Sequence, residues 1–485
     1  MTADLKPYPA MKDCGVPWLG GVPENWEVRQ LGRFGRLFKG NGGTKEDEVP
    51  TGIPCIRYGD LYTQHRYSIE RSRARISAER VSAYTSIQYG DILFAASGET
   101  IEEIGKSAVN LIGSRAYCGG DILLFRPATS VNARFMGYAC DCPQAVAQKS
   151  LMGRGFTVMH IYSNQLKRLW IALPPLPEQV AIARFLDHAD QRIRRYIRAK
   201  HKLIKLLEEQ KQAIIHRGVT RGLNPNARLK PSGVDWLPSI PEDWAATRLK
   251  FIASNLVDCL HATPIYSEDG VYPAIRTADV TPGALRLSTA RRVDEEHYRQ
   301  WVDRMVPVGG DILYTREGER FGIAALVPPD VQLCISQRMM VFRIHSIHNS
   351  AYIMWQINCQ HVYGQAACDL IGSAAPHVNV ERIKNFWLLT PPRSEQDEIV
   401  AGLEDETADI NAALQHARDE IRLIREYRTR LIADVVTGKL DVRAAAAKLP
   451  HEIKEQDELG VDVTLEGGDE AGLVSGDLAD KEVVE

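Results

Sequence analysis

Few residues in this sequence have the types and spacing that chemistry requires. Gly105-Lys106-Ser107 has the ending of a phosphate-binding loop, in which a glycine five residues before Gly105 completes the cradle of backbone N–H groups. That position is Thr100, so the loop is not made. His345 and His348 could face a metal, but no third ligand stands near them in sequence, and packing is the ordinary use of such a pair. The nine cysteines include no C-x-x-C pair; Cys140 and Cys142 come closest. They read as buried free thiols and predict no metal site. No G-x-G-x-x-G marks a dinucleotide or S-adenosylmethionine pocket. Val327-Pro328-Pro329-Asp330 has the wrong flanks for the Asn/Asp-Pro-Pro-aromatic motif of amino-methyltransferases, and no Ser/His/Asp or Cys/His set stands out. The expectation is a binder with no catalytic residue, cofactor or metal of its own.

Charge suggests what it binds. Of 485 residues, 44% are hydrophobic and 25% charged, the balance of a soluble globular protein of two to four domains. The net charge is −3, yet residues 450–485 hold twelve Asp/Glu against two Lys, a charge of −10. The remainder therefore carries +7, which suits a polyanionic partner. The acidic end is poor in large apolar residues and is expected to be disordered. No apolar run is long enough for a membrane span, and the first residues lack the regions of a signal peptide. The expected location is the cytoplasm, with no membrane partner.

Binding residues must be positioned by elements, and here the elements come twice. "GVPWLGGVPENW" at Gly15 returns as "GVDWLPSIPEDW" at Gly233, and "GDILF" at Gly90 returns as "GDILY" at Gly310. "LPPLPEQVAIARFLDHADQRI" at Leu173 answers "TPPRSEQDEIVAGLEDETADI" at Thr390, 217 residues on. The chain is two homologous halves, each a globular unit followed by a long helix, joined by "NPNARLKPSG". Between these anchors the halves diverge, as expected of two different ligands on one frame. "DILLFRP" at Asp121 and "MMVFRI" at Met339 predict buried strands of mixed α/β units, and each Gly-Asp before Ile-Leu reads as a turn entering a strand.

The helices show a 4-3 apolar spacing. Counting heptads from Ile182, eight of ten positions are apolar or aromatic, and the same holds 217 residues later. This predicts a coiled-coil seam of Ile182, Leu186, Ile193, Leu203, Leu207 and Ile214 against Ile399, Leu403, Ile410, Ile424, Tyr427 and Leu431. Glu178-Gln179 and Glu395-Gln396 fall in the first turns, behind Pro-Pro pairs that block extension backwards. The first helix is basic through Arg184, Arg192, Arg194, Arg195, Arg198, Lys200, Lys202, Lys205 and Lys211, a face open to either solvent or phosphates.

Together these residues resemble the specificity subunit of type I restriction-modification enzymes, over about residues 15–442. The resemblance rests on Pro-x-x-Trp opening each half, Gly-Asp-Ile-Leu, and "PLPEQ…I…LD" opening a long helix, all duplicated. It implies an α+β fold: two pseudo-twofold-related α/β target recognition domains separated by two long antiparallel coiled-coil helices. The expected divisions are recognition domain 1 (1–172), central helix (173–222, helical over 178–216), linker (223–233), recognition domain 2 (234–390), C-terminal helix (391–442, helical over 395–435) and acidic disordered tail (443–485). Each recognition domain would read one half of a bipartite, asymmetric site in double-stranded DNA. The helices would set the gap and dock two methyltransferase subunits, with restriction/translocase subunits in the full complex. S-adenosylmethionine, ATP and Mg are expected on those partners and not on this chain. A self-contained DNA methyltransferase or nuclease is the alternative, and a scaffold without DNA a third reading. The second helix reads "PPRSEQ" where "PPLPEQ" is usual, which is expected to loosen its start.

Base reading needs donors and acceptors on closely approaching loops. In the first domain the candidates are Lys39, Asn41, Thr44 and Lys45 of "KGNGGTK", with Arg57, Tyr58, Arg154 and Thr157. In the second they are Thr263, Arg276, Thr277, Arg316, Ser373 and His377.

Overall fold

The computed structural model describes residues 5–155, 158–234, 237–318, 320–367 and 377–450. Two compact units divide the chain: residues 1–199 with 420–485, and residues 200–419. Each contains one globular domain, half of helix α1 (Leu176–Arg221) and half of helix α2 (Arg393–Val436).

In the first unit the central sheet runs Gly35–Lys39, Ile122–Pro127, Ile92–Ala95, Ser107–Asn110, Tyr67–Ile69. In the second unit the order Ala253–Asp258, Met339–Ile344, Ile312–Thr315, Ala324–Leu326 repeats the first four strands. Each Gly-Asp-Ile-Leu supplies an inner strand whose four residues are all buried. Gly90 and Gly310 adopt φ of +88° and +90°, the left-handed turn that glycine tolerates. The aspartate is no solvated turn residue. Asp91 takes a two-pronged ion pair from Arg126 (2.8 and 2.6 Å), and Asp311 takes the same from Arg343 (2.9 and 2.7 Å). A smaller sheet stands beside each: Arg75–Ile76, Glu48–Ile56, Ala116–Cys118, Thr85–Ile87 in the first unit, and Arg291–Val293, Tyr272–Ile275, Cys334–Ile335 in the second.

The duplicated motifs fasten each domain to a helix start. Trp26, fully buried, donates its indole N–H to Glu178 Oε1 at 3.0 Å, and Trp244 does the same to Glu395 at 3.0 Å. Gln179 Oε1 accepts from the Asn132 backbone N–H and its amide donates to Pro174 O, both at 2.8 Å. Gln396 repeats both contacts with Asn349 and Pro391. Asn132 and Asn349 in turn cap the helices that follow them. These residues recur because a buried carboxylate or amide left without its partner costs about 1–3 kcal/mol. The α2 start is not loosened by its altered sequence. Arg393 donates to the carbonyls of Ser346 and His348 (2.7 and 3.0 Å) and pairs with Asp397.

Both helices are longer than 178–216 and 395–435, at 46 and 44 residues. In the first unit Asp190 meets Arg428, and the Tyr196 hydroxyl donates to Glu420 at 2.7 Å. In the second, Glu208 meets Arg418 at 2.8 Å, Lys211 meets Asn411 at 2.7 Å and Arg217 meets Glu406 at 2.6 Å. Within each unit, numbers rise along α1 as they fall along α2, so the paired halves run antiparallel.

The seam departs from the heptad count. Leu203 is 41% exposed and Tyr196 likewise, while Ile197 is buried and Ile204 half-buried one residue further on. The repeat that fits is eleven residues: Ile182, Ile193, Ile204 and Ile215 on α1, and Ile399, Ile410, Ile421 and Ile432 on α2. Of these eight, only Ile204 is not buried. Three turns in eleven residues is about 3.67 per turn, closer to a straight α-helix than the heptad's 3.5, so no left-handed supercoil is imposed. Leu186 and Leu403 are buried at the seam, as is Leu431; Leu207, Ile214, Ile424 and Tyr427 are half-buried.

Two boundaries also move. The linker holds a strand, Leu229–Val234, paired with Leu237–Pro241. The segment from 443 opens with a short helix, Arg443–Ala447, whose Ala446 joins the first core along with Val442. Residues 451–485, most of the acidic end, lie outside the described residues. Seven of the eight described cysteines are buried. Among the described residues, no helix is long and apolar enough to cross a membrane.

Candidate nucleic-acid interface

In each domain some of the described candidates stand beyond one end of the central sheet, while Arg57 and Tyr58, and Arg276 and Thr277, follow a strand of the smaller sheet. The strand ending at Lys39 pairs with Leu123, and Ala95 pairs with Ile122. Beyond them Ala96 N donates to Asp121 O, and Ile161 N donates to Ala96 O, both at 2.9 Å. The loop after Lys39 thus starts at that end, and Ile161, next to the bridged pair Arg154 and His160, is bonded to the same end. In the second unit Asp258 pairs with Met340 and Thr315 with Met339. Arg316 N then donates to Arg338 O, and Val378 N to Arg316 O, both at 3.0 Å. The loop holding Thr263 and the segment holding His377 occupy the matching end.

The first-domain loop is tight because it is glycine-rich. A Cβ on Gly43 would lie 1.8 Å from Asp47 Oδ2, and one on Gly40 would lie 2.4 Å from Gly119 O. Beneath it, Asp47 accepts from the Tyr84 hydroxyl at 2.9 Å and from Arg80. These bonds, Tyr84 first, hold the Asp47 carboxyl below its ordinary range. Asn41 exchanges hydrogen bonds with Thr85 through its backbone (2.7 and 3.0 Å), leaving its amide outside. Lys39, Asn41, Thr44 and Lys45 are all exposed, as is Tyr58. Arg57 donates to the Thr44 and Lys45 carbonyls at 3.3 and 3.4 Å, so it braces the loop from behind. Arg154 is exposed, its backbone bridged to His160. Thr157 lies outside the described residues.

In the second domain Thr263 is exposed and accepts from the Gln337 amide at 2.8 Å. Arg276 folds onto Asp279 (3.1 Å) as Arg57 caps with Asp60, and Thr277 is half-buried beside it. Arg316 does not face solvent. It is 3% exposed, held just past the inner strand between Asp258 (3.2 Å) and Glu317 (2.5 Å). Glu317 also pairs with the exposed His377 at 2.9 Å. Ser373 lies outside the described residues.

Sequence reading missed the tripeptide that joins the two sheets. It is Gly119-Gly120-Asp121 in the first domain and Ser336-Gln337-Arg338 in the second, 217 residues apart, amid the candidates. Arg338 adopts φ +70°, a conformation rare for a side-chain-bearing residue and frequent at binding sites. Writing the two halves in register would have exposed this contrast.

Two similar domains thus carry unlike sets of hydrogen-bonding side chains at matching ends. A sequence model of the type I restriction modification DNA specificity domain matches twice, over residues 23–205 and 241–422. The chain belongs to the type I restriction-modification DNA specificity family. Among relatives of this family, it is 22% identical over 430 residues to the type I restriction enzyme MjaVIII specificity subunit of Methanocaldococcus jannaschii, covering 87% of this chain and 94% of that one. It is 23% identical over 308 residues to the EcoBI specificity subunit of Escherichia coli, covering 59% and 61%. A chain in a solved structure concerning assembly and conformational transition of the type I R-M system aligns with TM-score 0.58 and 16% identity, over 86% of this chain and 98% of that one. That likeness speaks to fold, which it shares with this specificity protein.

Proposed function

We propose that this specificity protein is the DNA-reading, non-catalytic subunit of a type I restriction-modification complex. Its first recognition domain reads one half of a bipartite, asymmetric site in double-stranded DNA, and its second reads the other. The two helices set the gap and dock two methyltransferase subunits, with restriction/translocase subunits joining the full complex in the cytoplasm. S-adenosylmethionine, ATP and Mg act on those partners. One observation carries the reading: residues that fasten domain to helix are the same in both halves, while the exposed side chains at the matching sheet ends differ. Amide, hydroxyl and basic side chains there suit the donor and acceptor pattern of base edges and the charge of phosphates.

A self-contained methyltransferase or nuclease is the competing reading. The purified chain alone is expected to transfer no methyl group from S-adenosylmethionine to DNA. Adding its methyltransferase subunits should produce methylation at one bipartite motif. Cofactor-dependent methylation by the chain alone would overturn the proposal.

A further inference from the structure

We infer that His216, Cys359 and His361 form a site for one divalent cation of borderline softness, of the Zn2+ class, that fastens the end of α1 to the second recognition domain. Their ligand atoms, two imidazole nitrogens and a thiol sulfur, all lie within 4.8 Å of one another. Two imidazoles and a thiolate are a donor set such ions select. The residues come from separate elements of one unit. His216 stands on α1, and Cys359 and His361 stand at the start of the helix Gln360–Ala367. The backbone there is fixed, since Val362 and Tyr363 both donate to Cys359 O at 3.0 Å. The imidazole rings are 5.8 Å apart between centroids. Both histidines line a cavity of about 1240 Å³, from which water can supply a fourth ligand. Cys359 is 1% exposed behind them and would release its thiol proton to solvent on binding.

The first unit provides an internal comparison. Shifted by 217 residues, Cys359 corresponds to Cys142, which likewise stands at a helix start. His361 corresponds to Gln144, and His216 to Ala433. Packing at this junction therefore requires neither histidine, and the second unit has both, side by side. The sequence hid the set because His216 stands 143 residues before Cys359.

The test uses the full chain, purified without a histidine tag, stripped by chelator and titrated with Co2+. The expected result is a thiolate-to-cobalt charge-transfer band that saturates at one equivalent and is displaced by Zn2+. The double variant His216→Ala/His361→Gln carries the first unit's residues and should fold, as circular dichroism would verify, yet lose the band. Cys359→Ser should lose it too, and Cys142→Ser should keep it. Zn2+ should raise the melting temperature of the unaltered chain and not of the double variant. A folded chain with no thiolate band, a band surviving in the double variant, or one abolished by Cys142→Ser would overturn the inference.

Discussion

Asp91 and Lys45 mark the two kinds of residue in this protein. Asp91 is 1% exposed and recurs in the other half as Asp311; Lys45 is exposed and has no twin. Asp91→Asn leaves Arg126, itself part-exposed, without its charge partner and should cost about 2 kcal/mol, read as a lower urea midpoint. Lys45→Ala should change stability by no more than about 0.5 kcal/mol, yet weaken DNA binding by the assembled methyltransferase. A third residue sets a pH dependence. His65 is half-buried, its Nε2 has no hydrogen-bond partner among the described residues, and burial pushes its pKa from 6.5 down to about 4. The unfolded chain binds that proton below about pH 6.5 and the folded chain only near 4, so unfolding takes up a proton in between. Stability should therefore fall as pH drops through this window, by no more than about 1.4 kcal/mol per pH unit for this group. His65→Phe should remove that part of the pH dependence, and an equal loss of stability between pH 7 and pH 5 in the unaltered chain and in His65→Phe, read from urea titrations at each pH, would refute it. The Trp26–Glu178 and Trp244–Glu395 pairs were legible as repeated letters, though not as contacts. The burial of Arg316 was not legible, because its partners Asp258 and Glu317 resemble any surface acids in sequence.

At the scale of elements, the pairing of long helices was legible from apolar periodicity, but the period was not. A heptad count scores Tyr196 and Leu203 as apolar successes, although both are exposed. The eleven-residue isoleucine series was there to read, and it follows the buried stripe along both helices. It predicts which length changes the helices accept. Eleven residues inserted after Ala199, and eleven after Asp419, should preserve the seam and lengthen each helix by about 16 Å. Seven-residue insertions at the same places rotate the seam by about 30° and should lower the melting temperature. If the pair sets the gap, the eleven-residue variant should methylate a site lengthened by roughly five base pairs, at about 3.4 Å each. Equal tolerance of seven and eleven would show that the seam does not follow this repeat.

For the whole molecule, the duplication decides the account: two domains of one frame, with unlike side chains at matching sheet ends. The basic face of α1 contributes less uniformly than its sequence suggested. Arg194 is tied to Asp190 at 2.8 Å, and Lys211 to Asn411, whereas Arg195, Arg198 and Lys202 are exposed. Reversing the charge of those three should weaken binding to all DNA sequences alike and flatten its salt dependence by about 0.9 in log–log slope for each phosphate no longer neutralised. An unchanged slope would return that face to solvent. The most direct test of the central claim replaces residues 30–165 with the same region of another specificity subunit and maps methylation by the assembled enzyme. One half of the recognised site is expected to change while the other half and the gap stay as they were. Change in both halves, or in neither, would contradict it.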